Sequence, residues 1–486
     1  MKMIQDYFIY HSKIKFTFLF FVFFLQSKAS VFHGDLIVLK ISNSELIVSA
    51  SITPSIVFND QKKSLNTPSF TPAIESNSPG EITFTSSDES VATVSGSTIT
   101  IVGIGSTILT ATQAESGNYY ATTVTSTLSV YNDQTWIAEL IGNDIDGEAA
   151  YDKSGYSVSL SSDGTIVAIG APKNDGNGSV SGHVRVFRYT DSSWNQIGAD
   201  IDGEALGDES GYSVSLSSDG TTVAIGAMNN DGNGTSSGHV RVYRYDNLSW
   251  KQLGGDIDGE SGFNYSGRSV SLSSDGNIVA IGADGNSDNG VDSGHVRVYQ
   301  YIDSNNSWSQ LGSDINGEKG DWSGYSVSLS SDGKKVAIGS IYDLIDDIGK
   351  VRVYHYVDSN NSWDPLGSDI IGEAAYDEYG YSVDLSSNGL TVAIGAPFND
   401  GANGIDSGQV RVYQYSGSSW QQLGSDIDGE SANDELGYSV SLSSDGALLA
   451  VGAIGSDTNG SRSGSVRVYQ YSGSSWQQLG SDIDGE

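Results

Sequence analysis

A repeat of 56 or 57 residues, in which each copy has four short strand patterns and no helical periodicity, predicts an all-β protein. The copies open at Gly155, Gly211, Gly267, Gly324, Gly380 and Gly437, and a tryptophan recurs at the same interval. Four meandering strands in each of several repeats favour a β-propeller of four-stranded blades. A parallel β-helix would need shorter coils, and a single sandwich would not keep so strict a period.

The four strand patterns of the first repeat are designated B (156–160), C (166–171), D (184–189) and A (194–198). They alternate apolar and polar residues or are rich in Val, Ile and Tyr, as half-buried strands are. Asp163-Gly164 joins B to C, because Gly accepts the positive φ of a hairpin turn. The A–B and C–D connections are long and rich in Gly, Asp and Asn. In an up-and-down blade they lie on one face of the disc, the long-loop face, and the short turns lie on the other.

The repeat also resembles a known family. The run Gly-Tyr-Ser-Val-Ser-Leu from Gly155, with Gly170-Ala171-Pro172 later in the copy, is similar to the FG-GAP repeat of integrin α-subunit propellers. The resemblance covers residues 136–486 and implies a ligand site on the long-loop face. It also implies a Ca²⁺ site between the first two strands, but residues 161–164 (Ser-Ser-Asp-Gly) are too few for the roughly six to eight oxygen ligands of Ca²⁺.

Residues 1–29 have the layout of a secretory signal peptide. Lysines precede an apolar run at 16–25, and small residues precede a cut after Ala29. A signal anchor that stays in the membrane is the alternative, but the run is shorter than the roughly 20 residues of a membrane span. We therefore expect a secreted or cell-surface protein without membrane insertion of the mature chain.

The segment between the signal peptide and the repeats is predicted to hold one small domain. Residues 30–46 are expected to be a linker, and residues 47–131 alternate Ser and Thr with Val and Ile in short strands, which suggests a β-sandwich. The run from Val91 to Tyr120 resembles a bacterial Ig-like module, which implies a spacer. Residues 132–486 are assigned to the propeller.

Composition narrows the possible partners. A formal charge of −36, from 60 acidic and 24 basic residues, repels a phosphate backbone and argues against nucleic-acid binding. The sequence has no Cys, which excludes disulfides and thiolate metal sites. A protein or glycan at the cell surface remains the expected partner.

Two sets of loop residues on the long-loop face are candidates for binding. Loop aromatics could stack on sugars or anchor a protein, although they could equally cover blade edges; they are Phe263, Tyr265, Trp322, Tyr342, Tyr376 and Tyr379. Asp and Asn residues of the C–D loops offer oxygen ligands for Ca²⁺, with solvated turns as the alternative. These residues are Asp175, Asn177, Asp231, Asn233, Asp288, Asn289, Asp400, Asn403, Asp457 and Asn459.

Three features that recur in the repeat are predicted to be structural. An Arg in every D strand should pair with an acidic residue of the recurring Asp-Ile-Asp-Gly-Glu segment, since an unpaired buried Arg is costly. The Trp of strand A should serve packing. The position of His183, His239 and His295 holds Lys350, Gln409 or Ser465 in other copies, so we expect no metal cluster there.

No nucleophile motif, phosphate-binding loop or metalloprotease motif occurs, and near-identical acidic loops give no copy a distinctive acid and base. We therefore predict that the protein is not an enzyme. The predicted function is adhesion or recognition of a protein or glycan. A structural repeat protein of an envelope or matrix is the alternative, followed by a glycan-active enzyme.

The number of blades follows from counting strands. The sequence contains seven A patterns, beginning at 136–141, but only six B-C-D sets. We predict a C-terminally truncated seven-bladed ring, in which the first A pattern completes the last blade. A six-bladed ring with one redundant strand is the alternative.

Overall fold

The computed structural model describes residues 37–42, 45–50, 53–65, 67–103, 105–131, 140–343, 347–401 and 403–485. These residues form strands, turns and loops without a helix, which confirms the all-β prediction. None of their elements is a helix that is long and apolar enough to cross a membrane. The predicted signal peptide lies outside the described residues. The chain divides into two units, 1–136 and 137–486.

The first unit contains a four-stranded sheet in the order β4-β10-β9-β6 and three two-stranded pairs, β1-β2, β3-β5 and β7-β8. The strands are β1 (Ile37–Ser42), β2 (Glu45–Ala50), β3 (Ile56–Val57), β4 (Gln61–Ser64), β5 (Glu75–Ser76), β6 (Ile82–Ser86), β7 (Ala92–Ser95), β8 (Thr98–Ile101), β9 (Gly105–Gln113) and β10 (Thr122–Tyr131). Alternating residues such as Phe84, Leu109 and Leu128 form its core. Part of the predicted linker, 37–42, is a strand.

The second unit consists of six sheets, one for each repeat, which we call blades 1 to 6. In each blade B, C, D and A are antiparallel neighbours in sequence order, and a two-residue strand E pairs with D beyond A. Blade 1 contains β11 (Ser157–Leu160), β12 (Ile166–Ala171), β13 (His183–Thr190), β14 (Ser193–Gln196) and β15 (Ile201–Asp202). Blade 2 contains β16 (Ser213–Leu216), β17 (Thr222–Ala227), β18 (His239–Tyr245), β19 (Trp250–Gln252) and β20 (Ile257–Asp258). Blade 3 contains β21 (Ser269–Leu272), β22 (Ile278–Ala283), β23 (His295–Ile302), β24 (Ser307–Gln310) and β25 (Ile315–Asn316).

The remaining three blades repeat this plan. Blade 4 contains β26 (Ser323–Leu329), β27 (Lys335–Ser340), β28 (Lys350–Val357), β29 (Ser362–Pro365) and β30 (Ile370–Ile371). Blade 5 contains β31 (Ser382–Leu385), β32 (Thr391–Ala396), β33 (Gln409–Tyr415), β34 (Trp420–Gln422) and β35 (Ile427–Asp428). Blade 6 contains β36 (Leu436–Leu442), β37 (Leu448–Ala453), β38 (Ser465–Tyr471), β39 (Trp476–Gln478) and β40 (Ile483–Asp484). Of the first predicted A pattern, 136–139 lie outside the described residues.

Successive blades stack through apolar faces. Strand B of each blade contacts strand B of the next, so the B strands lie nearest the axis. Between blades 1 and 2, Val184 and Ile201 meet Val214 and Leu216 in one buried cluster. The stacking is so close that a Cβ placed on Gly170 would lie 2.1 Å from the carbonyl oxygen of Gly211. The glycine of the Gly-Ala-Pro motif is therefore required by the approach of the neighbouring blade.

Two polar contacts join blade 2 to blade 1, of which the Trp contact recurs in all six blades and the Arg contact in blades 1 to 3. The Trp250 indole N–H donates to the carbonyl oxygen of Ile197 at 2.9 Å. The Arg241 guanidinium donates to the carbonyl oxygen of Asp202 at 2.7 Å and lies 3.4 Å from the Glu204 carboxylate. The predicted structural roles of the recurring Trp and Arg are confirmed at this seam.

Candidate functional site on the long-loop face

Six side chains meet near the axis where the B strands begin, on the side of the long loops. We call them the axial ring: Tyr156, Tyr212, Arg268, Tyr325, Tyr381 and Tyr438. The ring centres of Tyr381 and Tyr438 are 4.8 Å apart, and those of Tyr325 and Tyr381 are 5.0 Å apart. The guanidinium carbon of Arg268 lies 4.2 Å from the centre of the Tyr325 ring. A cation thus stands among electron-rich aromatic faces, which favour it electrostatically.

Blade 3 departs from the repeat at a second position, which lies close to Arg268. Asp284 takes the place of Pro172 and Pro397, and its carboxylate lies 3.7 Å from the Arg268 guanidinium. Burial raises the pKa of Asp284 to about 6, although Arg268 acts in the opposite direction. Its Oδ1 has no hydrogen-bond partner among the described residues. Blade 3 is therefore chemically distinct from its neighbours at the centre of the long-loop face.

The predicted aromatic candidates have very different accessibilities. Phe263 and Tyr376 are 60% and 69% exposed, and Trp322 is 36% exposed. Trp322 contacts the half-buried Tyr342 edge to face, with ring centres 5.4 Å apart. Tyr265 is half-buried as well. Tyr379 is corrected here, because it is only 1% exposed and packs into the cluster between blades 4 and 5.

The candidates chosen from the sequence do not include the axial ring, because they were chosen from the loops and these tyrosines stand at the start of the predicted B strands. The usable signal was the single Arg at a position that holds Tyr in the other five copies. Tyr151, which is 94% exposed, is a further aromatic that was not singled out.

Most of the predicted calcium ligands make hydrogen bonds within the protein. Each Asn side-chain amide donates, at 2.7 to 2.9 Å, to the carbonyl oxygen of the glycine that follows strand E, in the pairs Asn177–Gly203, Asn233–Gly259, Asn289–Gly317, Asn403–Gly429 and Asn459–Gly485. The Asp carboxylates accept from backbone N–H groups at 2.6 to 3.0 Å, in the pairs Asp175–Val180, Asp231–Ser236, Asp400–Asp406 and Asp457–Arg462. These contacts are those of turn-forming Asp and Asn residues.

Acidic clusters that could hold a metal ion occur instead at the blade seams. They are Glu148, His183 and Asp200; Glu204, His239 and Asp256; Glu260, Asp288 and His295; and Glu318, Asp321 and Asp343. We expected no metal cluster at the His position, whereas the structure brings two carboxylates close to each of the three histidines, a grouping that could hold a metal ion. Burial lowers the pKa of His295 to about 4, and Arg297 adds to the shift.

The recurring Arg residues of blades 4 to 6 pair with acidic side chains. Arg352 contacts Asp321 and Asp369, each at 2.9 Å, and Arg467 contacts Asp482 at 2.9 Å. Arg411 pairs with Glu373 and, at 3.2 Å, with Asp426. The predicted ion pairs with the Asp-Ile-Asp-Gly-Glu segment are confirmed at these positions. The Arg411–Glu373 pair joins blade 5 to blade 4, whereas the pairs with Asp369, Asp426 and Asp482 each lie within one blade. Removal of one partner would leave a buried charge.

Several solved structures are similar to this chain at low sequence identity. Solved structures with a similar fold include a Bacteroides uniformis protein named as a 6-phosphogluconolactonase, with 10% identity, a TM-score of 0.46 and coverage of 68% of this chain and 86% of that one. The periplasmic gluconolactonase of Pseudomonas aeruginosa has 16% identity, a TM-score of 0.45 and the same coverage. The β-propeller domain of the trilobed protease from Pyrococcus furiosus has 12% identity, a TM-score of 0.38 and coverage of 67% and 84%.

The repeat type follows from the sequence itself. Residues 138–187, 199–243, 372–413 and 427–469 match the model of the FG-GAP repeat, which together is less than half of the chain. Matched repeats and repeated four-stranded sheets support an FG-GAP β-propeller. A search of curated proteins gives no match.

One prediction is contradicted by these comparisons. We predicted that the protein is not an enzyme, yet two of the propellers with a similar fold bear the names of lactonases. The prediction is therefore withdrawn. At 10% and 16% identity the likeness assigns no reaction to this chain.

Proposed function

We propose that the protein is a secreted or cell-surface recognition module that binds a glycan or a protein through the long-loop face. The observation that carries this proposal is the axial ring of five tyrosines and one Arg, in which the Arg268 guanidinium lies over the rings of Tyr212 and Tyr325. Aromatic faces stack on sugar rings and on apolar side chains, and an Arg fork recognises carboxylates. The predicted signal peptide supports the location. The first unit, which we propose to be an Ig-like module, would act as a spacer.

Exposed loop residues extend this surface beyond the ring. Phe263 precedes the B strand of blade 3, and Trp322 and Tyr376 hold similar places in blades 4 and 5. Large aromatic side chains are the commonest energetic anchors of interfaces. Calcium binding by the C–D loops is not carried into the proposal, because the hydrogen bonds of those loops already use the side chains on which it depended.

We also propose that the complete propeller is a seven-bladed ring. The Trp194 indole N–H donates to the carbonyl oxygen of Ile141 at 2.8 Å, and Arg185 donates to that of Asp146 at 2.6 Å. Trp250 and Arg241 make the same two bonds to the outer edge of blade 1. Residues 141–146 thus stand where the outer edge of a blade preceding blade 1 would stand.

Exposed apolar faces at the two ends of the array support this ring. Val158 and Leu160 of blade 1 are 61% and 58% exposed, whereas the equivalent Val214 and Leu216 are 9% and 7% exposed. At the other end, Val466 of blade 6 is 39% exposed while Val410 of blade 5 is fully buried. A further B-C-D set would cover both faces and pair with the strand position of residues 141–146.

The recognition proposal is tested by screening the protein on glycan and cell-surface protein arrays and measuring the affinity of each hit. Trp322→Ala should weaken binding about tenfold or more, as truncation of an interface anchor does. Arg268→Lys keeps the positive charge beside Asp284 but loses the planar fork, and should also weaken binding.

The matched control is Leu248→Ala, which changes an 84% exposed residue in the D–A turn of blade 2, on the opposite face. It should leave the affinity unchanged, and thermal unfolding should show that all three variants are folded. A ligand bound equally by Trp322→Ala and Leu248→Ala, or no ligand on either array, would contradict the proposal.

A further inference from the structure

One seam cluster contains more ligand groups than its equivalents. At the seam of blades 2 and 3, Nδ1 of His295 lies 3.9 Å from Oε2 of Glu260 and 4.0 Å from Oδ2 of Asp314. Asp288 offers a third carboxylate, and its ligand atom lies within 4.8 Å of those of Glu260 and His295. Arg297 approaches the other oxygen of Glu260, at 3.7 Å, so Oε2 remains directed at the imidazole.

The His295 imidazole lacks the partners that a buried ring needs. Its side chain is completely buried, and neither ring nitrogen has a hydrogen-bond partner among the described residues. Buried polar atoms are almost always paired, and an unpaired one implies a missing ligand. Since Nδ1 points into the carboxylates, that ligand must attract both an imidazole lone pair and carboxylate oxygens. A cation meets both demands, whereas a water molecule supplies no charge.

Blade 4 has an acidic cluster of the same kind, in which a side chain of the protein supplies the positive charge. In blade 4 the position of His295 is Lys350, and its ammonium lies 3.0 Å from Asp321, 3.1 Å from Asp343 and 3.4 Å from Glu318. Its acidic cluster is therefore neutralised by a side chain. Blade 3 keeps an acidic cluster of similar composition but offers an imidazole in place of the ammonium.

Blades 1 and 2 provide the opposite comparison. They keep the His, the Glu and the Asp that precedes strand E (Asp200 and Asp256), but Gly176 and Gly232 occupy the position of Asp288. Asp288 therefore gives the blade 3 cluster a carboxylate from the C–D loop at a position where blades 1 and 2 have none. His295, Glu260 and Asp288 bring one nitrogen and two oxygens within 4.8 Å of one another, and the Asp314 carboxylate lies 4.0 Å from the same imidazole.

We propose that His295, Glu260 and Asp288 bind one divalent metal ion of the zinc type between blades 2 and 3, with the Asp314 carboxylate beside them. A nitrogen ligand separates this site from Ca²⁺ sites, which are built from oxygen, whereas Zn²⁺ takes His and carboxylate ligands. Because Glu260 belongs to blade 2 while Asp288 and His295 belong to blade 3, the ion ties the two blades together. Binding to the folded state alone then stabilises this seam by mass action.

The test is zinc binding to the full-length protein after chelator treatment, measured by competition with a chromogenic chelator and by metal analysis. We expect one tightly bound Zn²⁺ per chain and an upward shift of the thermal unfolding midpoint with Zn²⁺ but not with Ca²⁺. His295→Gln, which places at this position the residue that blade 5 carries, should abolish tight binding. Asp288→Gly, which reproduces blades 1 and 2, should weaken it at least about tenfold, since a ligand is lost.

The matched control is His183→Gln in blade 1, which should leave the tight site intact. Both test substitutions introduce residues that other blades accept at the same place, so the variants are expected to fold. The absence of tight zinc binding in the wild type, retention of the ion by His295→Gln, or three equivalent ions per chain would each overturn the proposal.

Discussion

Asp384 replaces, in blade 5, a serine that the B strands of the other blades carry. Its carboxylate accepts hydrogen bonds from the Ser328 hydroxyl at 2.9 Å and from the Leu442 N–H at 2.7 Å. In the other blades the Ser hydroxyl accepts the same inter-blade N–H bond, as Ser215 does from Leu272 at 2.9 Å. Burial nevertheless raises the pKa of Asp384 to about 6, so the two bonds do not compensate fully for desolvation.

Asp384→Ser should therefore stabilise the protein at neutral pH. Since the folded-state pKa lies above the unfolded value of about 3.9, the folded state holds its proton more tightly, and the free energy of unfolding falls as pH rises from about 4 to about 6. The serine should raise the free energy of unfolding by about 1 to 2 kcal/mol at pH 7 and by almost nothing at pH 3.5. Denaturant unfolding at both pH values checks this.

Asp384→Asn separates charge from hydrogen bonding, because the amide keeps an acceptor and does not titrate. It should reproduce most of the gain at pH 7. A variant less stable than the wild type by the same amount at both pH values would show that the carboxylate is well accommodated when ionised.

At the scale of the strand, the glycine of the Gly-Ala-Pro motif decides how closely two blades approach. A Cβ on Gly395 would lie 2.0 Å from the carbonyl oxygen of Gly437 in blade 6. On Gly452 of blade 6 the nearest atom is the Ser439 hydroxyl oxygen, at 2.5 Å, which belongs to a side chain that can rotate away.

Gly395→Ala should thus lower the free energy of unfolding by about 3 kcal/mol or more, because the backbone of the next blade must move. Gly452→Ala is the matched control and should cost less than about 1 kcal/mol. Chemical denaturation of the two variants in parallel makes the comparison. Equal losses would mean that the glycine serves its own strand rather than the seam.

The strands themselves could be predicted closely from the sequence, because alternation and Asp-Gly turns are local signals. The predicted C strand at 166–171 agrees with β12 at both ends. Strand E was missed because Ile201 is a single apolar residue in a polar segment, and only its pairing with Val184 makes it a strand.

The seam cluster was missed for a different reason. Glu260 and His295 are 35 positions apart in the sequence and meet only because blade 3 stacks on blade 2. Asp288 was selected for its residue type, whereas His295 was set aside because other copies carry Lys, Gln or Ser there. Comparison across copies finds what the repeats share and discounts a site that one copy holds alone.

At the scale of the whole molecule, substitutions in the exposed apolar face of blade 1 test whether another surface covers that face. Leu160→Ser should change the free energy of unfolding by less than about 0.5 kcal/mol, because the side chain is already 58% exposed. Leu216→Ser, at the equivalent and 7% exposed position of blade 2, should cost about 2 to 4 kcal/mol. Thermal or denaturant unfolding compares them, and equal costs would show that another surface covers Leu160.

The Trp bond that joins each blade to its predecessor also bears on how such a chain can change over generations. Every blade presents the same Trp donor on one side, and the acceptor on the other side is an equivalent backbone carbonyl. Loss or duplication of one whole repeat would therefore bring together a donor and an acceptor that already match. The array can change its length in steps of one repeat without a new contact having to arise, and a copy such as blade 3 is free to diverge at its centre while its seams remain compatible with either neighbour.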